Sequence, residues 1–208
     1  MTYYADNCDL LFNRYRAIPP QQLHAGWLSY LPETPGRACD IGAGTGRDAH
    51  WLADMGWQVT AVEPEAAFRR RASLDCHEQI DWLDDCLPAL TSLLAMKPQF
   101  HLILLSAVWM HLPESEREQA LSVLSELLAS DGVLVISLRH SHAEERQARG
   151  IFPVSVAELE RLASTRGLAV MSVTQRADQR QGRPLPGTAG HARAGCGQQL
   201  PDAGWIGG

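Results

Sequence analysis

The run Ala38-Cys39-Asp40-Ile41-Gly42-Ala43-Gly44-Thr45-Gly46 constrains this chain more than any other stretch. It reads as the end of a buried strand, an acid, and three glycines at alternate positions. A helical segment, Arg47 to Met55, follows, and Gly56 stands where that helix would end. Glycine permits a tight turn and lets a ligand approach the main chain closely. The N–H groups that open the next helix would point at that ligand. The segment is therefore expected to form strand, loop and helix around a nucleotide-like cofactor.

The spacing bears on which cofactor. The dinucleotide fingerprint is G-x-G-x-x-G. Here the register is G-x-G-x-G, and Arg47 takes the place of the third fingerprint glycine. Asp40, two residues before the first glycine, would repel a pyrophosphate and suits a ligand with a cationic amine. No Gly-Lys-Ser/Thr follows, which excludes a P-loop.

Further along, elements alternate. Gln58 to Val62 reads as a second strand ending at Glu63-Pro64, and a helix is expected from Pro64 to Ala72. Gln79 to Leu83, Phe100 to Ser106, Val133 to Leu138 and Leu168 to Thr174 read as strands three to six. Pro113 opens a helix with Ala120, Leu121, Leu124, Leu127 and Leu128 at helical spacing, closed by Asp131-Gly132. Ser155 and Glu158 form a capping box before Leu159, Leu162 and Ala163, and Gly167 ends that helix. Such alternation implies an α/β fold: a doubly wound, Rossmann-like, mostly parallel sheet with helices on both faces. Ligands of such sheets bind at the carboxyl ends of the strands, so the chemistry is sought just after each one. Residues 1–36 form an N-terminal segment, helical in parts and interrupted by Pro19-Pro20; residues 37–177 form the cofactor-binding domain.

After strand two, Glu63 stands 17 residues beyond Gly46, where a carboxylate can accept both hydroxyls of a ribose. This pairing suits NAD as well. After strand three come Asp84 and Asp85. Strand four leads into Ser106-Ala107-Val108-Trp109-Met110-His111, in which His111 is the one obvious base. Strand five leads into Arg139-His140-Ser141-His142. No carboxylate or cysteine stands at a matching ligand spacing, so no metal site is expected there. Arg139 can pair with an anionic group on a substrate, with His140 beside it.

The D-x-G-x-G-x-G loop, together with this order of strand-end residues, resembles the class I S-adenosylmethionine-dependent methyltransferases over about residues 10 to 175. The resemblance implies S-adenosyl-L-methionine as cofactor, S-adenosyl-L-homocysteine as product, and a small-molecule methyl acceptor. It assigns Asp40, Gly42, Ala43, Gly44, Gly46 and Glu63 to the cofactor. It assigns the adenine amine to Asp84 or Asp85, with Asp84 preferred, and places Ser106 and Ala107 along the cofactor. Trp109 and His111 would face the mouth of the active site, with His111 as catalytic base and Arg139 and His140 on the substrate side. Tyr15 and Arg14 would close over the cofactor. Trp82 and Leu83 belong by default to the apolar core. The family has a seventh, antiparallel strand in a hairpin with the sixth. An NAD(P)-dependent Rossmann oxidoreductase is the runner-up, and a non-catalytic cofactor-binding module is the third reading.

The tail departs from that pattern. Asp178 to Gly208 holds eight of the 17 glycines, three prolines and no run of strand formers. Strand seven is therefore expected to be missing or altered, with 178–208 disordered or read from a shifted frame. Displaced by one base, the codons of Gly190 to Ala194 permit Ala-Thr-Leu-Val-Leu, a good strand.

Composition narrows the setting. A net charge of −6 does not suit a general nucleic-acid binder. Five cysteines without a C-x-x-C pair, and a polar N-terminus without an apolar signal core, point to the cytoplasm. Stretches such as Leu102 to Leu105 are far too short to span a membrane. Oligomeric state and acceptor identity are not written in these features.

Overall fold

The computed structural model describes residues 2–139, 143–177 and 186–194. In chain order the elements are α1 (Thr2–Asp6), α2 (Cys8–Arg16), α3 (Pro20–His24), β1 (Arg37–Ile41), α4 (Arg47–Asp54), β2 (Gln58–Val62), α5 (Ala66–Ala72) and β3 (Ile80–Leu83). They continue with α6 (Thr91–Ala95), β4 (Phe100–Ser106), α7 (Glu114–Leu127), β5 (Leu128–Arg139), α8 (Ala143–Arg149), α9 (Val156–Thr165), β6 (Leu168–Ala177) and β7 (Pro186–Ala194). The strands form one seven-stranded sheet in the order β3-β2-β1-β4-β5-β7-β6. Strands β1 to β5 pair in parallel, and β7 runs antiparallel to both β5 and β6.

The doubly wound character follows from how the central strands are buried. Leu102 and Leu104 of β4, with Val133 and Val135 of β5, pack on one face against α4 and three tryptophans, Trp27, Trp51 and Trp57. Ile103 and Leu105, with Leu134, Ile136 and Leu138, pack on the other face against α7 and α9. A strand covered on both sides reads as a continuous apolar run, which is why β4 carries no polar alternation. The switch point lies between β1 and β4, where the connections leave in opposite directions.

Local signals explain the boundaries. Ser155 Oγ accepts the Glu158 backbone N–H at 3.1 Å, half of the expected capping box. The Glu158 side chain does not reach back; it holds Arg117, which is 2% exposed, through both carboxylate oxygens at 2.9 and 2.7 Å. Arg117 also donates to the carbonyls of Leu112 and Pro153. It thereby ties α7, α9 and two loops together.

One expectation is corrected and another is narrowed. Asp131-Gly132 does not separate helix from strand. The chain leaves α7 directly into β5 at Leu128, and Leu128 pairs with Phe100 ahead of a register shift. Strand seven is altered in composition and not missing: Pro186–Ala194 lies between β5 and β6, with Ile136 opposite Gly190 and Val170 opposite Ala192. Backbone pairing on both sides supplies the hydrogen bonds that strand-forming side chains were expected to signal. The rest of 178–208, and with it the expectation of disorder there, lies outside the described residues. Among the described residues no helix is long and apolar enough to cross a membrane.

Candidate functional site

A cavity of about 450 Å³ opens at the carboxyl ends of β1, β2 and β4. Its floor is the glycine loop. Gly42, Gly44 and Gly46 all have positive φ, at 70°, 54° and 72°. A Cβ on Gly42 would lie 2.5 Å from Val108 Cγ2, so the loop and the segment after β4 pack without room for a side chain. At Gly44 a Cβ would meet only a backbone oxygen at 3.8 Å; here the main chain itself faces the cavity.

The acids cluster at this end. Glu63, 7% exposed, accepts the Gly44 N–H at 2.7 Å through Oε2 and the Glu65 N–H at 2.8 Å through Oε1. Each oxygen keeps a further acceptor direction for a hydroxyl. Burial pushes the Glu63 carboxyl above the usual range, against the pull of those N–H groups. Asp40 is 1% exposed. Burial, reinforced by nearby Asp48, raises its carboxyl well above the ordinary value. Its Oδ2 is buried without a hydrogen-bond partner, and the residue lines the cavity. A buried acceptor in that state fits a ligand bringing a cationic donor.

Arg47 is not a phosphate clamp. Its Nε and Nη2 each donate to Asp48 at 2.7 Å, and Nη1 donates to the Tyr15 carbonyl at 3.3 Å. His24 Nε2 lies 3.0 Å from Asp48 Oδ1, and His24 Nδ1 accepts from Trp27 Nε1 at 3.2 Å. Burial raises the Asp48 carboxyl, but His24 and Arg47 outweigh it and hold Asp48 ionised. This network docks α2 and α3 onto the start of α4.

The opposite end of the cavity carries cations and tyrosines. Tyr4 Oη is 3.0 Å from His111 Nε2, and Arg149 Nη2 donates to Tyr4 Oη at 3.1 Å and Tyr15 Oη at 2.6 Å. His111 also hydrogen-bonds the Gly150 backbone. These contacts are satisfied together when His111 carries its proton on Nδ1 and the Tyr4 hydroxyl donates to Nε2. Burial, then Arg149, pushes His111 down to about 4, so its imidazole is neutral near pH 7. Burial raises the Tyr4 hydroxyl, against the pull of Arg149.

Most of the residues singled out in the sequence meet here. Asp40, Gly42, Ala43, Gly44, Glu63, Asp85, Ser106, Ala107, His111, Arg139 and Tyr15 all border the cavity. Ala107 holds a left-handed φ of 60° while its N–H donates to Ser137 Oγ at 2.8 Å. Gly46 shapes the loop from behind, close to Trp82.

Some residues lie elsewhere. Asp84 is exposed and paired with Arg69 at 2.6 Å; Asp85 is the acid at the cavity, its oxygens accepting the Cys86 and Leu93 N–H groups. Trp109 does not face the mouth. It is 1% exposed in the core beneath β5, because the 3-10 turn Trp109–His111 turns it inward and presents Met110 and His111 instead. Arg14 does not border the cavity, and Trp82 and Leu83 pack against core clusters. His140 lies outside the described residues. Sequence reasoning missed Tyr4 and Arg149. The one local signal was Arg149-Gly150, a basic last turn followed by a glycine at φ 62°.

Comparison with known proteins agrees with this geometry. A family model described as a methyltransferase domain matches residues 12–173. No curated protein sequence matches the chain. Among solved structures, it is similar to 1,6-didemethyltoxoflavin-N1-methyltransferase of Burkholderia thailandensis, which holds 1,6-didemethyltoxoflavin and S-adenosylhomocysteine. The TM-score is 0.70 at 20% identity, over 94% of this chain and 85% of that one. A TehB-like S-adenosylmethionine-dependent methyltransferase of Corynebacterium glutamicum aligns with a TM-score of 0.65 at 18% identity, covering 90% and 98% of the two chains. Magnesium protoporphyrin IX methyltransferase of Synechocystis, with bound S-adenosylmethionine, aligns with a TM-score of 0.61 at 16% identity, covering 92% and 80%.

Proposed function

This chain belongs to the methyltransferase-domain family of class I, S-adenosylmethionine-dependent enzymes, and from that premise we propose that it methylates a small molecule held between the glycine loop and the Tyr4–Arg149 cluster. The observation that carries the reading is the buried, partnerless Oδ2 of Asp40 beside a glycine loop that opens its backbone to the cavity.

Asp40 is the group that receives the cofactor's ammonium, and Glu63 the group that receives the ribose hydroxyls. Asp85, already accepting two backbone N–H groups, sits where an adenine amine is held. Gly42, Ala43 and Gly44 supply the close backbone surface, and Ser106 and Ala107 border the path between the two ends. An NAD pyrophosphate on this loop would face the buried acid Asp40, with Arg47 already bound to Asp48.

S-adenosylmethionine supplies a sulfonium-activated methyl, whose carbon–sulfur bond breaks as an acceptor lone pair takes the methyl and the electron pair leaves with sulfur. The protein's work is therefore mainly positioning. His111, neutral and fixed by Tyr4 and Gly150, orients the acceptor and is a base only for an acceptor that readily gives up its proton. The cavity must hold cofactor and acceptor together, and its volume supports a small acceptor; the Burkholderia relative, bound to 1,6-didemethyltoxoflavin, supports the same scale. The exposed free thiols of Cys76 and Cys86 support a reducing, cytoplasmic setting.

Calorimetric titration with S-adenosylhomocysteine tests this. The expected dissociation constant is about 1–50 μM, rising at least about tenfold in Asp40→Ala, with no heat from NAD. Binding of NAD alone would overturn the reading.

A further inference from the structure

We propose that Ser137 is a positioning residue of the cofactor site: its hydroxyl holds the left-handed turn at Ala107 that carries Val108 onto the glycine loop. The inference rests on the methyl-transfer reading above and adds to it a residue of β5 that acts through its neighbour.

Three observations carry it. First, Ala107 holds φ 60°, a left-handed conformation that the Cβ of an L-residue makes unfavourable. Among the described residues Leu90 and Lys97 share that conformation, and of the three Ala107 is the one that borders the cavity. Such a conformation persists only where surrounding contacts hold it. Second, the Ser137 side chain makes that contact. Strands β4 and β5 pair in parallel as far as Ser106 opposite Ser137, and the next N–H, that of Ala107, donates to Ser137 Oγ at 2.8 Å. A side chain thus supplies the acceptor where the strand pairing ends. Third, the turn sets two parts of the cavity. Val108 follows directly, and its side chain fills the space beside Gly42, where a Cβ would come within 2.5 Å of Val108 Cγ2. The Val108 carbonyl then accepts the His111 N–H at 2.9 Å, which closes the 3-10 turn Trp109–His111.

Without the hydroxyl, the Ala107 backbone loses the hydrogen bond that offsets its unfavourable φ. Val108 is then no longer held in one position against Gly42, and the glycine loop loses the surface that fixes it for the ligand. Glycine at position 107 would adopt the same φ without the Cβ penalty, so it should make the hydroxyl less necessary. A hydroxyl that merely stabilised the sheet would show no such dependence on residue 107.

The test is calorimetric titration of the full chain with S-adenosylhomocysteine, in the unaltered protein, Ser137→Ala, Ser137→Thr, Ala107→Gly and the double variant Ser137→Ala/Ala107→Gly. Ser137→Ala is expected to weaken binding by about tenfold per folded molecule, and a loss under about threefold overturns the inference. Ser137→Thr keeps the hydroxyl and is expected to bind at least about threefold more tightly than Ser137→Ala; a threonine variant as weak as the alanine one overturns the inference. With glycine at 107, the same Ser137→Ala change is expected to cost under about threefold, and a larger loss there overturns the inference. The comparison of the double variant with Ala107→Gly remains decisive if Ser137→Ala alone fails to fold, because the glycine removes the backbone penalty. If the unaltered protein does not bind S-adenosylhomocysteine at all, the methyl-transfer reading itself fails, and this inference with it. If it binds and Ser137→Ala binds equally well, only this inference fails.

Discussion

The two ends of the cavity are built from different groups. At the glycine loop, Asp40 and Glu63 are buried carboxylates, and burial raises both. At the far end Arg149, Arg139 and two tyrosines surround a histidine that burial and the Arg149 charge hold neutral. The first end is made by two consecutive strands and the loop between β1 and α4, the second by elements distant in the chain. On the proposed function, the acidic end is the one that takes the cofactor's cationic amino-acid head, and the acceptor enters from the other.

Removing Arg117 should break the contrast most severely. It is 2% exposed, paired with Glu158, and bound to the Leu112 and Pro153 carbonyls, of which Leu112 borders the cavity. Leaving Glu158 without its partner should cost about 4 kcal/mol of stability in denaturant unfolding. S-adenosylhomocysteine affinity per folded molecule should hold, because the glycine loop is not touched. Gly42→Val attacks the other end. Positive φ and a Cβ 2.5 Å from Val108 should weaken S-adenosylhomocysteine binding by about a hundredfold in calorimetry.

The two ends should also respond to pH with opposite signs. His111 has a folded value of about 4 against 6.5 unfolded, so its contribution to stability is complete above 6.5 and declines as pH falls from there toward 4. Allowing for partial solvent exposure, the loss is about 2 kcal/mol in thermal or denaturant melts, and His111→Gln should flatten it. Asp40 is raised, so its stabilising contribution is present at low pH and is lost as pH rises through the folded value. Asp40→Asn should accordingly make the ligand-free protein more stable near pH 7, while weakening S-adenosylhomocysteine by about tenfold. Calorimetry in buffers of different ionisation enthalpy should show proton release on binding in the unaltered protein and less in this variant.

Legibility in the sequence follows the same division. The glycine loop and Glu63 were readable because their spacing is local and their conformations demand those residue types. Asp84 and Asp85 are not told apart by sequence, because a loop has no period to set its register; the structure pairs Asp84 with Arg69, 15 residues away, and leaves Asp85 at the cavity with its carboxylate on the Leu93 N–H. Trp109, expected at the mouth, lies in the core because a 3-10 turn, invisible as periodicity, turns it inward. The Tyr4–His111 contact joins positions 107 apart, and nothing local announces it. Strand β7 escaped for a different reason. Its side chains give no strand signal, and its place is secured by backbone pairing to β5 and β6.

The most direct test of the two-ended cavity is a crystal structure with S-adenosylhomocysteine bound. The account predicts the ammonium group against Asp40, the ribose hydroxyls on Glu63, and the sulfur turned toward Ala107 and the Arg149 end. A nucleoside seated on Arg149 and Tyr4, with Asp40 Oδ2 still without a partner, would contradict it.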